Sequence, residues 1–155
     1  MLKQTVILFT PSFSADKCKS LTIPYAMLSM DMIIKPLNLD VLHIDEQIIP
    51  DYAPLIDAVK ERLLLAAVTC STGSQITQAV SFCLYVKKHC PNARIVWGGW
   101  HASLMPEQTL RASYIDYVIY GQGEIPFRNL VTALITHTEL KDTDGVCYKK
   151  DGILV

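Results

Sequence analysis

What most constrains this chain is a repeated switch of hydrophobic period. Short apolar, β-rich runs alternate with segments whose apolar residues return every three or four positions. The runs are residues 5–9 (TVILF), 39–44 (LDVLHI), 64–69 (LLAAVT), 93–97 (ARIVW) and 117–120 (YVIY). Runs of this kind suit strands covered on both faces, as in a parallel sheet sandwiched by helices. Between the first two runs, Thr22 is placed to cap a helix that opens near Pro24. Met27, Met30, Ile34 and Leu37 follow at helical spacing, and Pro36 marks the stop. Asp51 and Pro54 open a short helix carrying Leu55, Ile56 and Val59. The longest helical pattern runs from about residue 75 to 89, with Ile76, Ala79, Val80, Cys83 and Leu84 on one face. Lys87, Lys88 and His89 occupy its last turn, where positive charge is favourable, and Pro91 ends it. A short helix is predicted over 106–111. A final one starts near Pro126 and turns Phe127, Leu130, Val131, Leu134 and Ile135 inward.

Five strand–helix units in succession imply parallel strands joined by right-handed crossovers. The expected fold is therefore α/β: a doubly wound, five-stranded parallel sheet of the flavodoxin-like (Rossmann-like) kind, in the order 2-1-3-4-5. Residues 1–137 read as one domain, without repeat, low-complexity tract or linker. Residues 138–155 behave differently. Residues 145–149 (GVCYK) alternate, Asp151-Gly152 is a two-residue hairpin signal, and only Ile153-Leu154-Val155 remain for the return strand. This tail reads as a hairpin or linker toward a further domain, which makes the chain an excised N-terminal piece of a longer protein. The plainer alternative is a small natural edge hairpin.

Composition narrows the function. Half of the 155 residues are hydrophobic and 19% are charged, enough to build a core and to exclude wholesale disorder. Fourteen basic residues face fifteen acidic ones, so there is no basic excess for nucleic acid. The longest apolar run, residues 63–68, falls well short of the roughly 20 needed to span a bilayer. The patch near the start is too short for a secretory signal. The five cysteines (18, 70, 83, 90 and 147) include no CxxC pair and no CxxxCxxC cluster motif. They read as packing residues of a reduced, cytoplasmic protein.

In such a sheet, ligands bind outside the carboxyl ends of the strands. The loops there carry Thr10-Pro11-Ser12, Cys70-Ser71-Thr72-Gly73-Ser74-Gln75, residues 98–103 and residues 120–124, all rich in small residues. They describe a cradle for a large, mostly neutral ligand carrying a phosphate, not an acid–base pocket. Each feature has a structural explanation as well. Ser71, Thr72 and Ser74 suit capping of the third helix, Gly98-Gly99 suits a tight turn, and Glu124 suits the positive end of the last helix. A dinucleotide site is rejected, because Gly121-x-Gly123 follows the last strand and the first loop has no glycine. His89 and His137 are expected in solvent at helix ends, and His43 at the sheet's periphery. His101 alone falls on the binding edge, with no metal-ligand partner at useful spacing. Neither Ser71 nor Cys70 has a visible partnered base, and no G-x-S-x-G elbow occurs. The third strand ends Val68-Thr69-Cys70, without the aspartate that a phospho-receiver domain needs. Trp97 reads as core, whereas Trp100 projects into its loop.

Taken together, Cys70-Ser71-Thr72-Gly73-Ser74-Gln75, VWGGWHASLMPEQTL (residues 96–110) and YIDYVIYGQGEIPF (residues 114–127) resemble the cobalamin-binding domain of cobalamin-dependent radical S-adenosylmethionine enzymes. The final DGVCYKKDGILV resembles the segment leading into the radical domain of that family. The resemblance implies a corrin ring over the carboxyl edge of the sheet. It also implies a nucleotide tail in a groove lined by the loops after strands three, four and five. Carried over by position, Ser71, Thr72 and Gln75 meet the corrin or its tail, and Gly73 beside them and Ser12 of the first loop count as cofactor-binding residues too. Gly98 and Gly99 leave room for the tail, beside Trp100 and His101. Gly121 and Gly123 flank the base, with Glu124 at the helix start. No residue is assigned as catalytic or as a metal ligand. Methionine-synthase-like cobalamin domains carry D-x-H-x-x-G in the first loop, and residues 10–18 here contain no histidine. The resemblance thus implies base-off cobalamin without a histidine ligand. It implies a parent methyltransferase that uses methylcobalamin, with S-adenosylmethionine and an iron–sulfur cluster in a radical domain of the same polypeptide. Some relatives perform ring closure or rearrangement instead. The alternative is a free-standing cobalamin carrier without its own catalysis.

Overall fold

In the computed structural model, which describes residues 3–13, 23–140, 143–150 and 153–155, the five apolar runs are strands. They are β1 (Thr5–Thr10), β2 (Asp40–Asp45), β3 (Leu63–Thr69), β4 (Arg94–Gly98) and β5 (Tyr117–Ile119). All pair in parallel in the order β2-β1-β3-β4-β5, as the pattern implies. The sheet is wider than five strands. β6 (Val146–Lys150) pairs antiparallel with β5, and β7 (Ile153–Leu154) antiparallel with β6. The tail is thus the sheet's own antiparallel border. Thr22, the Asp151-Gly152 turn and residues 14–18 of the first loop lie outside the described residues.

The helices are α1 (Tyr25–Ile34), α2 (Ala53–Val59), α3 (Ser74–His89), α4 (Trp100–Leu104), α5 (Pro106–Leu110) and α6 (Glu124–Thr136). They cover the sheet unequally. On one face, Phe9, Val68, Ile95, Trp97 and Val118 pack beneath Ile56, Phe82, Cys83 and Val86 of α2 and α3. Phe9 and Phe82 stack with centroids 3.8 Å apart, and Tyr52 meets both rings edge-on. The Trp97 indole N–H donates to Cys83 Sγ at 3.1 Å, so Trp97 is core as expected. On the other face, Val6, Leu8, Leu65, Ala67, Val96 and Ile119 meet Met27 and Ile34 of α1, and Phe127, Leu130 and Val131 of α6.

Some expectations need correction. Leu84 is 52% exposed; the buried line of α3 runs through Gln75, Ala79, Phe82, Cys83 and Val86. The large Phe82 ring fills the space above Phe9, and this turns the helix away from Leu84. His89 is exposed at the end of α3, as expected, where it stacks on Tyr85 at 4.1 Å and lies 3.6 Å from Asp57. His137 is exposed and adopts the left-handed C-cap conformation of α6. His43 sits in the edge strand β2, 2.8 Å from Asp31 of α1.

Two features fix the ends of the sheet. At the amino ends of β4 and β5, Asp116 accepts from the Ile95 N–H (2.7 Å), Lys87 Nζ (2.7 Å) and Arg94 (3.2 Å). Near the carboxyl end, the chain enters β6 through Gly145 at φ +89°. A Cβ there would stand 2.9 Å from Pro126 Cγ, while the Gly145 carbonyl accepts from the Tyr120 N–H at 3.0 Å. Only glycine allows this approach.

The Phe9–Phe82 stack predicts that Phe82→Ala lowers unfolding free energy by about 3–5 kcal/mol. Urea denaturation would measure it, and a near-neutral result would refute the central place given to the stack.

Candidate functional site

At the carboxyl edge, the loops after β3 and β4 are tied together by backbone. The Cys70 N–H donates to the Gly98 carbonyl (3.1 Å), and the Cys70 carbonyl accepts from the His101 N–H (2.9 Å). This places Gly99 directly against Cys70. At φ +88°, a Cβ on Gly99 would lie 2.8 Å from Thr69 Oγ1 and 2.9 Å from Cys70 N, so neither the conformation nor the space admits another residue. Ser103 extends the tie. Its N–H and hydroxyl both donate to the Gly99 carbonyl, and its Oγ accepts from the Gly121 N–H at 3.0 Å.

Gln75 joins the β1 and β3 loops from beneath. Buried to 4% exposure, its amide N–H₂ donates to the Pro11 carbonyl (2.7 Å) and its carbonyl accepts from the Ser71 N–H (2.8 Å). Ser74 donates to the Phe13 carbonyl. The third helix is therefore not capped by Ser71, Thr72 or Ser74. Gly73 is its N-cap residue, and no side chain bonds there. Ser12 donates through both its N–H and hydroxyl to Glu46 (2.9 and 3.0 Å). Thr72 and His101 stand exposed and half-buried, with Oγ1 and Nδ1 3.2 Å apart. Trp100 opens α4 and is 68% exposed, next to exposed Leu104 and Met105.

Beside this rim, a cleft of about 270 Å³ descends between α1 and α6 onto the second sheet face. Gly98, Gly99, Gly121 and Gly123 edge it, and Glu124 stands at the start of α6. Its floor is Ala67, Val96 and Ile119, and its walls are Met27, Met30 and Phe127. The site residues expected from sequence thus divide. Gly98, Gly99, Gly121, Gly123 and Glu124 line the cleft, while Ser12, Ser71, Thr72, Gly73, Gln75, Trp100 and His101 belong to the rim or its supports. The cleft floor and helix walls escaped the sequence reading, because Met27 and Met30 at helical spacing look like ordinary core. The available signal was the small Ala67, next to Ala66, in a strand otherwise of leucine, valine and threonine. It sits level with Val96, and two residues on, Thr69 sits level with Gly98, so one face is thinned.

The arrangement offers little for acid–base or nucleophilic chemistry. Cys70 is buried, its thiol donating to the Ser71 carbonyl at 3.3 Å, and burial pushes its pKa up to about 11. Burial likewise pushes the Cys83 thiol up to about 12, partly offset by the Trp97 bond. Among the described residues, no three His, Cys, Asp or Glu side chains gather as metal ligands. Nor is any helix among them long and apolar enough to cross a membrane.

Comparison with known proteins is consistent with this geometry. Residues 20–131 match the family described as the B12 binding domain. The chain is 37% identical over 83 residues to an uncharacterized methyltransferase of Pyrococcus horikoshii, covering 53% of this chain and 18% of that protein. It is 29% identical over 73 residues to the anaerobic magnesium-protoporphyrin IX monomethyl ester cyclase of Synechocystis, covering 46% and 15%. Among solved structures, it is similar to the radical S-adenosylmethionine methyltransferase TsrM of Kitasatospora setae with cobalamin and an iron–sulfur cluster bound. The TM-score is 0.83 at 18% identity, covering 99% of this chain and 28% of that one. The cobalamin-dependent radical enzyme OxsB, with aqua-cobalamin and S-adenosylmethionine bound, gives 0.76 at 17%, covering 99% and 22%. At these identities the structural likeness is one of fold. This chain spans less than a third of each relative.

Two outcomes test the site as described. Gly99→Ala should destabilise the protein by about 1–3 kcal/mol. Gly98→Ala, whose Cβ would meet only the Ile119 carbonyl at 3.8 Å, should change stability by less than about 1 kcal/mol. Thermal unfolding of the pair checks this, and equal losses would contradict it. Because the raised thiol pKa values leave little thiolate near neutral pH, Cys70 and Cys83 in the native protein should resist alkylation there. Both thiols are at most 1% exposed, so labelling should become prompt only when the protein is unfolded by denaturant, as read by peptide mass mapping. Prompt labelling of Cys70 at neutral pH would contradict its environment.

Proposed function

The chain belongs to the B12-binding domain family, and on that premise we propose that it holds base-off cobalamin as the cofactor domain of a radical S-adenosylmethionine methyltransferase. The observation that carries this reading is the apolar cleft opening at the glycine edge of the sheet. Its residues fit the group. Pockets that engulf a drug-sized ligand run to about 300–1,000 Å³, so a cleft of about 270 Å³ takes a fragment such as the nucleotide base and leaves a corrin ring outside. The rim is the surface left for that ring.

Within this reading, Gly98, Gly121 and Gly123 admit the tail, and Thr72, Trp100 and His101 stand beside the ring. Gly99 and Gln75 hold the loops in register and contribute through position. Ser71 and Gly73 lie in the rim loop that Gln75 fixes, and Ser12 steadies the first loop through Glu46. Glu124 marks the mouth. The base-off state follows from this seating, because a base held between α1 and α6 is withheld from the metal. When bound, cobalamin supplies a cobalt–carbon bond from which a methyl group can be passed on. This chain's residues bind and orient it and exclude water from the tail. S-adenosylmethionine and the iron–sulfur cluster belong to a radical domain of the same polypeptide, a reading supported by the fold shared with TsrM and OxsB and by the small share of each that this chain covers.

Mixed with hydroxocobalamin, the chain should co-elute with it on gel filtration and give a base-off absorption spectrum. The reduced cobalt(II) complex should show no nitrogen superhyperfine splitting in its paramagnetic resonance spectrum. Gly98→Leu should abolish co-elution while keeping the thermal midpoint near wild type. Free cobalamin eluting separately, or nitrogen coupling to the cobalt, would overturn the proposal.

A further inference from the structure

The cleft's chemistry bears on which corrinoid the protein accepts. Its deep part is lined by apolar side chains: Ala67 and Val96 below, Met27, Met30 and Phe127 around. Ala67, Val96, Met27 and Phe127 are each at most 4% exposed. The polar groups of the lining, Thr69 at the end of β3 and Gln122 and Glu124 after β5, stand at the carboxyl edge, where the cleft opens. Corrinoids differ in the heterocycle at the end of the nucleotide tail. Benzimidazole types present a carbocyclic edge, while purine types present ring nitrogens and, in adenine, an exocyclic amine. A polar group buried without a partner carries a desolvation penalty that its apolar counterpart escapes.

We infer that this cleft selects corrinoids by their terminal base, accepting benzimidazole-type and rejecting purine-type cobamides. The inference rests on the proposed seating of the tail between α1 and α6, and adds a specificity to it. The carbocyclic edge of the benzimidazole lies against Ala67 and Val96, and the thioether of Met30 moulds to the ring. An adenine in the same place leaves its amine and ring nitrogens facing methyl and phenyl groups. One or two such unpaired groups amount to about tenfold to a hundredfold weaker binding.

Equilibrium titration of the chain with three corrinoids tests this: cobalamin, its adenine-tailed analogue and tail-less cobinamide. Cobalamin should bind tightest, and the adenine form at least about tenfold more weakly. Met30→Gln places an amide in the wall and should narrow that gap by strengthening the adenine form relative to cobalamin. Equal affinity for cobalamin and the adenine form, in a protein that binds both, would overturn the inference while leaving cobalamin binding intact. Cobinamide binding as tightly as cobalamin would overturn it too, because the tail would then contribute nothing. Failure of all three to bind would instead remove the reading on which it rests.

Discussion

The apposition of Gly99 and Cys70 governs the functional edge of this molecule. With the Cys70 N–H and carbonyl bonded to Gly98 and His101, two crossover loops meet backbone to backbone. That contact decides where α4 begins, where Trp100 and His101 stand, and where Ser103 can reach Gly121. It also keeps Gly98 at the lip of the cleft, with only a carbonyl oxygen near its missing side chain. A single side chain at Gly99 would separate the loops and change all of these positions together.

The second organising feature is the unequal thickness of the two layers. Aromatic rings fill one side of the sheet, where Phe9, Phe82, Tyr52 and Trp97 pack. The other side carries alanine, valine and glycine near its carboxyl edge, and the helices above it supply flexible methionines. Close-packed interiors tolerate few voids, and away from the carboxyl edge this side too is closed, by Val6, Leu8, Ile34, Leu65, Leu130 and Val131. The opening lies at that edge.

Much of the fold was legible in the residues. Strand runs, crossovers and sheet order followed from periodicity, and Pro36 and Pro91 marked helix ends within a few residues. Less visible was the border. The alternation of residues 145–149 announced a strand, but its pairing with β5 depends on Gly145 passing under Pro126, a contact between distant residues. The site was legible where backbone rules apply, as at Gly98-Gly99 and Gly121-x-Gly123. It was opaque where meaning depends on a facing element. Gln75 read as a candidate ligand contact, yet both ends of its amide are taken by the β1 and β3 loops. Met27 and Met30 obey helical spacing whether they fill a core or wall a cleft, and only the helix's placement over Ala67 tells them apart.

The passage through Gly145 has an outcome for local motion. The same few atoms hold the residue just before the border strand, the first turn of α6 and the Tyr120 peptide. Opening of the border therefore cannot remain a private fluctuation. It unfastens the segment Gly121–Gly123 in the same event, and the two regions form one cooperative unit. Occupancy of the cleft and protection of the border amides then share a single free energy, so that a filled cleft slows exchange in a strand it never touches.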